Sequence, residues 1–330
     1  MEKQHILLVY NGVLPVDKYG GTGRVVWYLG RELHARGHEV TFLTGRGSQS
    51  SFARVIPWQA GVPLASQIPG NVDLVHSHFP VWEELPKPLI TTIHGNSSQQ
   101  QEYPLNTVFV SRDHARRHGS ECFVYNGLGR DELGDPDLSR KRSYLHFLGK
   151  AAWRVKNLKG AMDIARQSHQ LLHVLGGYRL NLKMGLRFTP DPRIVFHGMV
   201  GGERKNRLLN GSSALLFPVR WHEPFGLAVI ESLYFGCPVI GTPYGALPEI
   251  ITPETGFLSA SQAELVVAAR EAGGFNRQWC HDYVCENFSV EKMTTAFEKL
   301  YEKVLNGESL NPRPPVLQEM KQEKFLPYFN

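Results

Sequence analysis

Short apolar runs alternate with longer amphipathic stretches along this chain, and this alternation limits its possible folds more than any other feature. Each run is rich in Ile, Leu and Val and is apolar on both faces. Strands of this kind separated by helical patterns predict βαβ units, and therefore a parallel sheet covered by helices. In the first part of the chain the runs are HILLVY, HEVTFLT, DLVHSH, PLITTIHG and NTVFVS.

The alternation stops over residues 130–142, where apolar residues give way to Gly, Pro, Asp and Arg, and then it begins again. We interpret this stretch as a linker. The sequence thus predicts an α/β protein with two doubly wound domains, residues 1–142 and 143–330, facing across a cleft. The stripe of apolar residues over 289–305 predicts a last helix that can pack back on the first domain. The tail that follows, residues 316–330, is ambiguous between packing on the first domain and fraying.

Composition excludes several classes of protein. The chain has 330 residues, of which 42% are hydrophobic and 20% charged, so we expect neither disorder nor a membrane-spanning protein. We expect a cytoplasmic location, because the first residues lack a secretory signal and the four cysteines form no metal or disulfide pattern. The net charge of +5 does not indicate nucleic-acid binding, and it is compatible with peripheral contact with the inner face of a membrane. The oligomeric state is not readable.

The stretch EPFGLAVIE, residues 223–231, has a carboxylate at each end of an apolar helix opening. Pro224 suits the first helical position, and this predicts free amides at Phe225, Gly226 and Leu227, the usual setting of an anion site. Glu223 and Glu231 would then lie about 12 Å apart, at about 1.5 Å per residue. One acid can accept hydrogen bonds from sugar hydroxyls and the other from ribose hydroxyls. The alternative is that Glu223 only complements the helix dipole and Glu231 is a solvated helix residue.

A phosphate beside two acids needs cations, and the stretch FLGKAAWRVKNLKG supplies them. Lys150 and Lys156 lie in one strand-to-helix turn with Arg154 between them. Together they can neutralise a diphosphate and stabilise it as a leaving group. The alternative is that these are ordinary surface side chains.

At this point the chain resembles a known family. EPFGLAVIE, followed by FGCPVIGTPYGALPEII and TGFL, is similar to the C-terminal signature of the retaining glycosyltransferases of family 4, which have the GT-B fold of two Rossmann-like domains. YGGTGRVVWYLGRELHARGHEVTFLT resembles the family's first glycine loop, helix and second strand. DLVHSH, TTIHG, VSRDHARR, YNG and FLGK follow in family order. The resemblance covers about residues 5–300.

The resemblance implies roles for individual residues. Gly20 and Gly21 would lie near the diphosphate and acceptor, and His94 beside the reacting sugar. Lys150, in place of the usual arginine, and Lys156 would contact the phosphates, and Arg154 can share that role. Glu223 would bind the sugar with the amides of residues 225–227, Glu231 the ribose, and Met199 and Val200 the base.

The expected activity is the retaining transfer of a sugar from a nucleoside-diphosphate sugar to an acceptor hydroxyl, in glycan, lipopolysaccharide or glycolipid synthesis. A UDP-sugar is favoured over GDP-mannose, and the acceptor is unknown. No cofactor or metal is expected. His76 and His78 alternate as a metal pair would, but a third ligand is lacking. His94 can alternatively cap the sheet. Alternative functions are a GT-B-like epimerase or phosphorylase, and a non-catalytic protein that binds sugar nucleotides.

Overall fold

The computed structural model describes residues 2–16, 20–97, 99–182, 187–318 and 325–329. The elements of the first part of the chain are β1 (His5–Tyr10), α1 (Gly21–Ala35), β2 (Glu39–Thr44), β3 (Arg54–Pro57), β4 (Leu74–Ser77), β5 (Leu89–Ile93), β6 (Thr107–Phe109) and α2 (Arg112–Arg116). Those of the second part begin with β7 (Tyr144–Leu148), α3 (Leu158–Gln167), β8 (Leu172–Leu175), β9 (Leu180–Asn181), β10 (Arg187–Phe188), β11 (Ile194–Phe196), α4 (Gly202–Asn210), β12 (Ser212–Phe217) and α5 (Leu227–Tyr234). They continue with β13 (Val239–Gly241), α6 (Leu247–Ile250), β14 (Gly256–Leu258), α7 (Gln262–Arg270), α8 (Arg277–Asn287) and α9 (Val290–Leu305).

The chain divides into two compact units. Unit 1 contains the described residues up to Gly129 and from Phe288 to Gln318, and unit 2 contains those from Arg130 to Asn287 and from Phe325 to Phe329. Each unit has a six-stranded parallel sheet, with strand order β3-β2-β1-β4-β5-β6 in unit 1 and β11-β8-β7-β12-β13-β14 in unit 2. The predicted α/β fold with two parallel sheets is therefore confirmed.

Residues 130–142 belong to unit 2, whereas the sequence analysis assigned them to a linker and to the first domain. The Tyr234 hydroxyl donates to the Gly134 carbonyl at 2.8 Å, and the Asn206 amide donates to the Leu133 carbonyl at 2.9 Å. The Arg277 guanidinium donates to the Leu138 carbonyl at 3.0 Å. The segment is polar because its backbone is bound by side chains of unit 2 rather than by an apolar core.

Helix α9 packs on α1 and β5 of unit 1, although it follows unit 2 in sequence. Of its predicted apolar stripe, Met293, Phe297 and Tyr301 are buried, whereas Leu300 and Leu305 are only half-buried. Burying a side chain of this size contributes about 1.5–3 kcal/mol. The helix is thus part of the core of unit 1.

The described residues of the C-terminal tail, 316–318 and 325–329, are hydrogen-bonded first to unit 1 and then to unit 2. The Val316 amide donates to the His118 carbonyl of unit 1 at 2.9 Å. The Leu326 amide donates to the Arg220 carbonyl, and Phe329 pairs with Ser261, both in unit 2. Residues 319–324 lie outside the described part of the chain, and the expectation for them is not addressed.

Within the described ranges, no helix is both long enough and apolar enough to cross a bilayer.

Candidate active site

Two loops of unit 2 follow neighbouring strands, β7 and β12, and are joined by hydrogen bonds. Asn157 has a left-handed backbone with φ of 52°, and its side chain both accepts from the Gly160 amide and donates to the Pro218 carbonyl at 2.9 Å. The Arg220 amide donates to the Val155 carbonyl at 2.7 Å. These bonds fix the loops against each other at the carboxyl ends of the strands, where parallel sheets bind ligands.

Lys156 and Glu223 meet between these loops. The Lys156 Nζ lies 2.5 Å from Glu223 Oε2, and the two side chains are only 10% and 8% exposed. The Trp221 indole donates to the same carboxylate oxygen at 2.7 Å. Over the described residues, Glu223 Oε1 has no hydrogen bond and is not enclosed. The carboxylate is therefore oriented through one oxygen, and the other is available to a ligand.

Two indoles separate the two lysines. The Lys156 Nζ lies 4.8 Å from the centroid of the Trp221 ring, and Trp221 meets Trp153 edge to face at 6.1 Å. The Lys150 Nζ lies 5.1 Å from the Trp153 centroid. In the part of the chain that the structure describes, Lys150 forms no ion pair. Among these residues, the group that faces its charge is the Trp153 ring.

Arg154 is exposed and lies against the C-terminal segment. Its guanidinium carbon is 5.8 Å from the Phe325 ring centroid, and that of Arg220 is 5.3 Å from the same ring. Arg220 also donates to the Leu326 carbonyl at 2.9 Å. The three cations of the predicted turn therefore have different surroundings: a carboxylate for Lys156, an indole for Lys150 and a phenyl ring for Arg154.

Helix α5 begins at Leu227, and the prediction that it opens at Pro224 is wrong. Glu223 is held in an extended bridge with Gly245, and its carbonyl accepts the Ala246 amide at 2.9 Å. A Cβ atom on Gly245 would lie 2.3 Å from the Glu223 nitrogen, so no other residue fits there. This bridge keeps Glu223 outside the helix.

Gly226 is the residue before the helix, with φ of 100°, a conformation that glycine adopts readily. Leu227 takes the first helical position, so its amide is one of those that lack an intrahelical partner. Phe225 lies before the helix with its side chain buried. The estimated 12 Å separation of the two acids assumed a continuous helix and does not apply.

Glu231 is buried on α5, and the alternative of a solvated helix residue is wrong. It is 7% exposed, and its Oε1 lies 2.9 Å from Nζ of Lys205 on α4, which is itself 3% exposed. A buried acid of this kind is acceptable only because a cation accompanies it. Lys205 thus fixes the position of the predicted ribose contact.

Met199 and Val200 lie between β11 and α4. The preceding Gly198 is bonded through its amide to the Gly177 carbonyl at 3.0 Å, and its carbonyl accepts the Gly176 amide at 2.8 Å. Val200 is buried and Met199 half-buried. Their backbone follows the carboxyl end of a strand and leads directly into the helix that carries Lys205.

The remaining predicted residues belong to unit 1. Gly20 precedes α1 and Gly21 is its first residue. A Cβ atom on Gly20 would lie 2.9 Å from Val16 Cγ1, so a side chain would have to displace the loop. His94 follows β5 directly.

His94 belongs to a group of three neighbouring histidines in unit 1. Its Nε2 lies 2.9 Å from Nδ1 of His78, whose ring stacks on His76 with centroids 4.3 Å apart. His76 is bonded to the hydroxyls of Tyr301 and Thr92, both at 2.7 Å. Across the described residues, no set of three His, Cys, Asp or Glu side chains is arranged to hold a metal. His76 and His78 are instead parts of a hydrogen-bonded network.

This network predicts acid sensitivity. Burial lowers the pKa of His76 to about 3 and of His94 to about 4, and burial with the neighbouring histidines lowers the pKa of His78 well below its usual value. The ordinary pKa is about 6.5, so between about pH 6.5 and 4 the unfolded chain binds more protons than the folded one. We expect the thermal midpoint of unfolding to fall as the pH is lowered from about 7 towards 5.

The contribution of the network can be isolated with His76→Asn, which should have a lower midpoint at neutral pH and a shallower pH dependence. His34→Asn, at an exposed position of the same unit, should keep the wild-type slope. If the thermal midpoint of the wild-type protein is the same at pH 7 and pH 5, the rings of His76, His78 and His94 are not neutral in the folded protein as assigned.

Two family descriptions match successive parts of the chain, and the second includes most of α9. The family described as Glycosyltransferase Family 4 matches residues 19–126, and that described as Glycosyl transferases group 1 matches residues 142–301. N-acetyl-alpha-D-glucosaminyl L-malate synthase from Bacillus anthracis is 30% identical over 376 aligned positions, covering 90% of this chain and 97% of that protein. The chain belongs to the group 1 glycosyltransferases.

Solved structures of other proteins have the same fold as this glycosyltransferase. AviGT4, a glycosyltransferase involved in avilamycin A biosynthesis, has a TM-score of 0.70 at 21% identity, covering 92% of this chain and 98% of that one. HepE from Anabaena, in complex with UDP and glucose, has a TM-score of 0.66 at 12% identity, covering 91% and 99%. The GT-B fold expected from the sequence is confirmed.

Four residues of this glycosyltransferase were missed by sequence reasoning: Trp153, Trp221, Lys205 and Asn157. Trp153 meets Trp221, Asn157 bonds to Pro218, and Lys205 pairs with Glu231. In each pair the partners are separated by at least one strand in the sequence, so a local pattern does not reveal the contact. Lys205 left a weak signal, since it lies one helical turn before the buried Leu209 on α4 and so shares its inward face.

Proposed function

We propose that this glycosyltransferase moves a sugar from a UDP-sugar to an acceptor hydroxyl, with retention at the anomeric carbon and without a metal ion. The observation that carries the proposal is the Glu223 carboxylate, bound through one oxygen by Lys156 and Trp221 while the other oxygen is available. A fixed carboxylate at the carboxyl end of a strand is suited to reading the hydroxyls of a sugar.

The diphosphate is assigned to Lys150 and to the start of α5. Lys150 and Arg154 both lack a carboxylate or carbonyl partner among the described residues, and Lys150 is the less exposed of the two, with its ammonium over the Trp153 ring. The Leu227 amide at the first helical position adds a donor and the positive end of the helix dipole. Fixed positive groups of this kind stabilise the charge that develops on a departing diphosphate, which is the work a metal ion performs in other transferases.

Lys156 serves the sugar end of the donor. One of its three N–H groups is directed to Glu223, and the others, which have no hydrogen-bond partner among the described residues, can contact a phosphate oxygen. Its ammonium also lies on the faces of Phe217 and Trp221, which fix its position. Arg154, exposed beside Phe325, supplies long-range attraction for the anionic donor rather than a fixed contact.

The nucleoside is assigned to Glu231, Met199 and Val200. Glu231, oriented by Lys205, would accept hydrogen bonds from the ribose hydroxyls. The backbone at Met199 and Val200 would contact the base. The proposed preference for uracil is supported by the HepE structures, which contain UDP and UDP-glucose. Met199 and Val200 themselves do not indicate which base is bound.

Unit 1 would supply the acceptor side of the reaction. Gly20 and Gly21 begin α1 with no side chains and allow close approach to its first amides. His94, neutral because burial lowers the pKa of its ring to about 4, can form a hydrogen bond to the reacting sugar without adding charge. We propose that the acceptor hydroxyl attacks on the face that the diphosphate leaves, and that a phosphate oxygen accepts its proton.

A transfer assay tests the proposal. The purified protein is incubated with UDP-glucose, UDP-N-acetylglucosamine or GDP-mannose and a panel of acceptors, among them L-malate, which appears in the name of the Bacillus anthracis relative. We expect transfer from a UDP-sugar that continues in EDTA, with a product whose anomeric configuration, read from NMR coupling constants, matches that of the donor.

Each part of the proposal can fail separately in this assay. An inverted product overturns retention, and loss of transfer in EDTA that magnesium restores overturns metal independence. Conversion of the donor without any acceptor would indicate an epimerase. UDP binding, measured by thermal shift, without transfer to any acceptor would favour a sugar-nucleotide-binding protein.

A further inference from the structure

The ring of His78 is unusually well fixed for a residue that the reaction does not require to touch the donor. It is 6% exposed, its amide donates to the Val9 carbonyl at 2.9 Å, and its ring stacks on His76. His76 is in turn bonded to Tyr301 on α9 and Thr92 on β5. A continuous set of contacts therefore extends from the core of unit 1 to the Nδ1 atom of His78.

That Nδ1 atom faces Nε2 of His94 at 2.9 Å, a hydrogen bond between two imidazoles. One ring must donate and the other accept, so the bond couples the tautomers of the two residues. If His78 donates, His94 carries its own proton on Nδ1. If His94 donates from Nε2, its Nδ1 is a bare acceptor.

The second nitrogen of His78 distinguishes the two arrangements. His78 Nε2 is enclosed and has no hydrogen-bond partner within the described residues. When His78 donates through Nδ1, the enclosed Nε2 is a lone pair. When His94 donates, the enclosed Nε2 carries an N–H without an acceptor, and an orphaned buried N–H is the rarer of the two defects in folded proteins.

The outward nitrogen of His94 is the one that a ligand can reach. His94 is only partly buried, and its Nδ1 has no partner and is not enclosed, again among the described residues. The proton on this atom decides what the ring can bind. An N–H binds a sugar hydroxyl oxygen or a phosphate oxygen, whereas a bare nitrogen would repel the latter.

We propose that His78 is a positioning residue, which donates from Nδ1 to His94 Nε2 and so keeps His94 as the Nδ1–H tautomer, with an N–H that can bind an oxygen of the donor. This inference deepens the proposed function and rests on it for the identity of the ligand. The stacked His76 and its bonds to Tyr301 and Thr92 then serve to fix the orientation of the donating ring.

The wild-type full-length protein, labelled with ¹⁵N at histidine, tests the tautomer directly by two-bond ¹H–¹⁵N correlation spectra. The signals of His94 are assigned by their loss in His94→Gln. We expect His94 protonated at Nδ1 and His78 also protonated at Nδ1. A neutral His94 protonated at Nε2 overturns the inference. The measurement does not depend on the folding of any His78 variant.

Variants test the effect on transfer. His78→Leu removes the donor, and we expect kcat to fall about 10–100-fold, the usual effect of losing an outer hydrogen-bond partner, with little change in KM for the donor. His78→Asn places an amide N–H near the former Nδ1 and should recover most of the loss. His34→Asn, exposed on α1, is the matched control and should transfer at the wild-type rate. Equal kcat in His78→Leu and wild type would overturn the positioning role.

The two proposals fail in different ways. Transfer with His94 protonated at Nε2 rejects this inference and leaves the proposed function intact. The expected tautomer in a protein that transfers no sugar rejects the proposed function and leaves the assignment of the hydrogen bond standing.

Discussion

Glu223→Gln should lower kcat for sugar transfer by about 10²–10³-fold, the effect of removing one fixed polar contact to the reacting group. Glutamine retains the shape of the side chain and the bond from Trp221, but it loses the charge that orders sugar hydroxyls and balances Lys156. Initial rates at saturating donor measure the effect. Glu271→Gln, at an exposed position of the same unit, should have the wild-type rate.

The same substitution leaves Lys156 buried without its counter-charge, so a lower rate by itself can reflect a damaged fold. Thermal unfolding of Glu223→Gln separates the two effects, and the double variant Lys156→Met with Glu223→Gln, which removes the buried charge as well, shows how much stability the lone lysine costs. We expect the double variant to regain thermal stability without regaining activity. If Glu223→Gln transfers sugar at near the wild-type rate, Glu223 does not contact the sugar in the transition state.

Lys205→Met should destabilise the protein by about 3–5 kcal/mol, because it removes the cation that accompanies Glu231, a carboxylate only 7% exposed. For a unit of this size each kcal/mol lowers the thermal midpoint by about 2–4 °C. Thermal unfolding of the full-length protein measures the change. The variant that pairs Lys205→Met with Glu231→Leu should recover much of the lost stability, since an apolar pair of similar volume replaces a buried ion pair at little cost.

Binding of UDP distinguishes the structural and ligand roles of this pair. The stabilised double variant lacks the carboxylate assigned to the ribose, so we expect UDP to raise its midpoint less than that of the wild type. An equal shift in both proteins would show that Glu231 serves only the packing of α5 against α4.

The sheet strands were readable from sequence where they are buried on both faces. In β1, β2, β4 and β5 nearly every residue is buried, so apolar residues occur on both faces and few polar ones interrupt them. Strand β3 was missed because it is an edge strand of RVIP with no fully buried residue. The antiparallel pair β9 and β10 was missed because each strand has two residues.

The residue types of the site could be predicted from the sequence, but their spatial arrangement could not. The acids and lysines were predicted, whereas their pairing, Lys156 with Glu223 and Glu231 with Lys205, follows from loops that meet only after the sheet forms. The start of α5 illustrates the same limit. Proline favours the first helical position locally, but the bridge from Glu223 to Gly245, more than twenty residues away, overrides that preference.

The path of the chain between the two units has a consequence for how such a protein can be divided or recombined. Unit 1 needs the segment from Phe288 to Gln318, and unit 2 needs both residues 130–142 and the segment from Phe325 to Phe329. A single crossover in the gene therefore exchanges neither unit whole. A cut after Gly129 would leave the first half without Tyr301, the partner of His76, and the second half with the surplus helix α9. To transfer one unit into a relative, two or more separate segments of sequence must be moved. A single recombination event therefore cannot exchange one unit and leave the other unchanged.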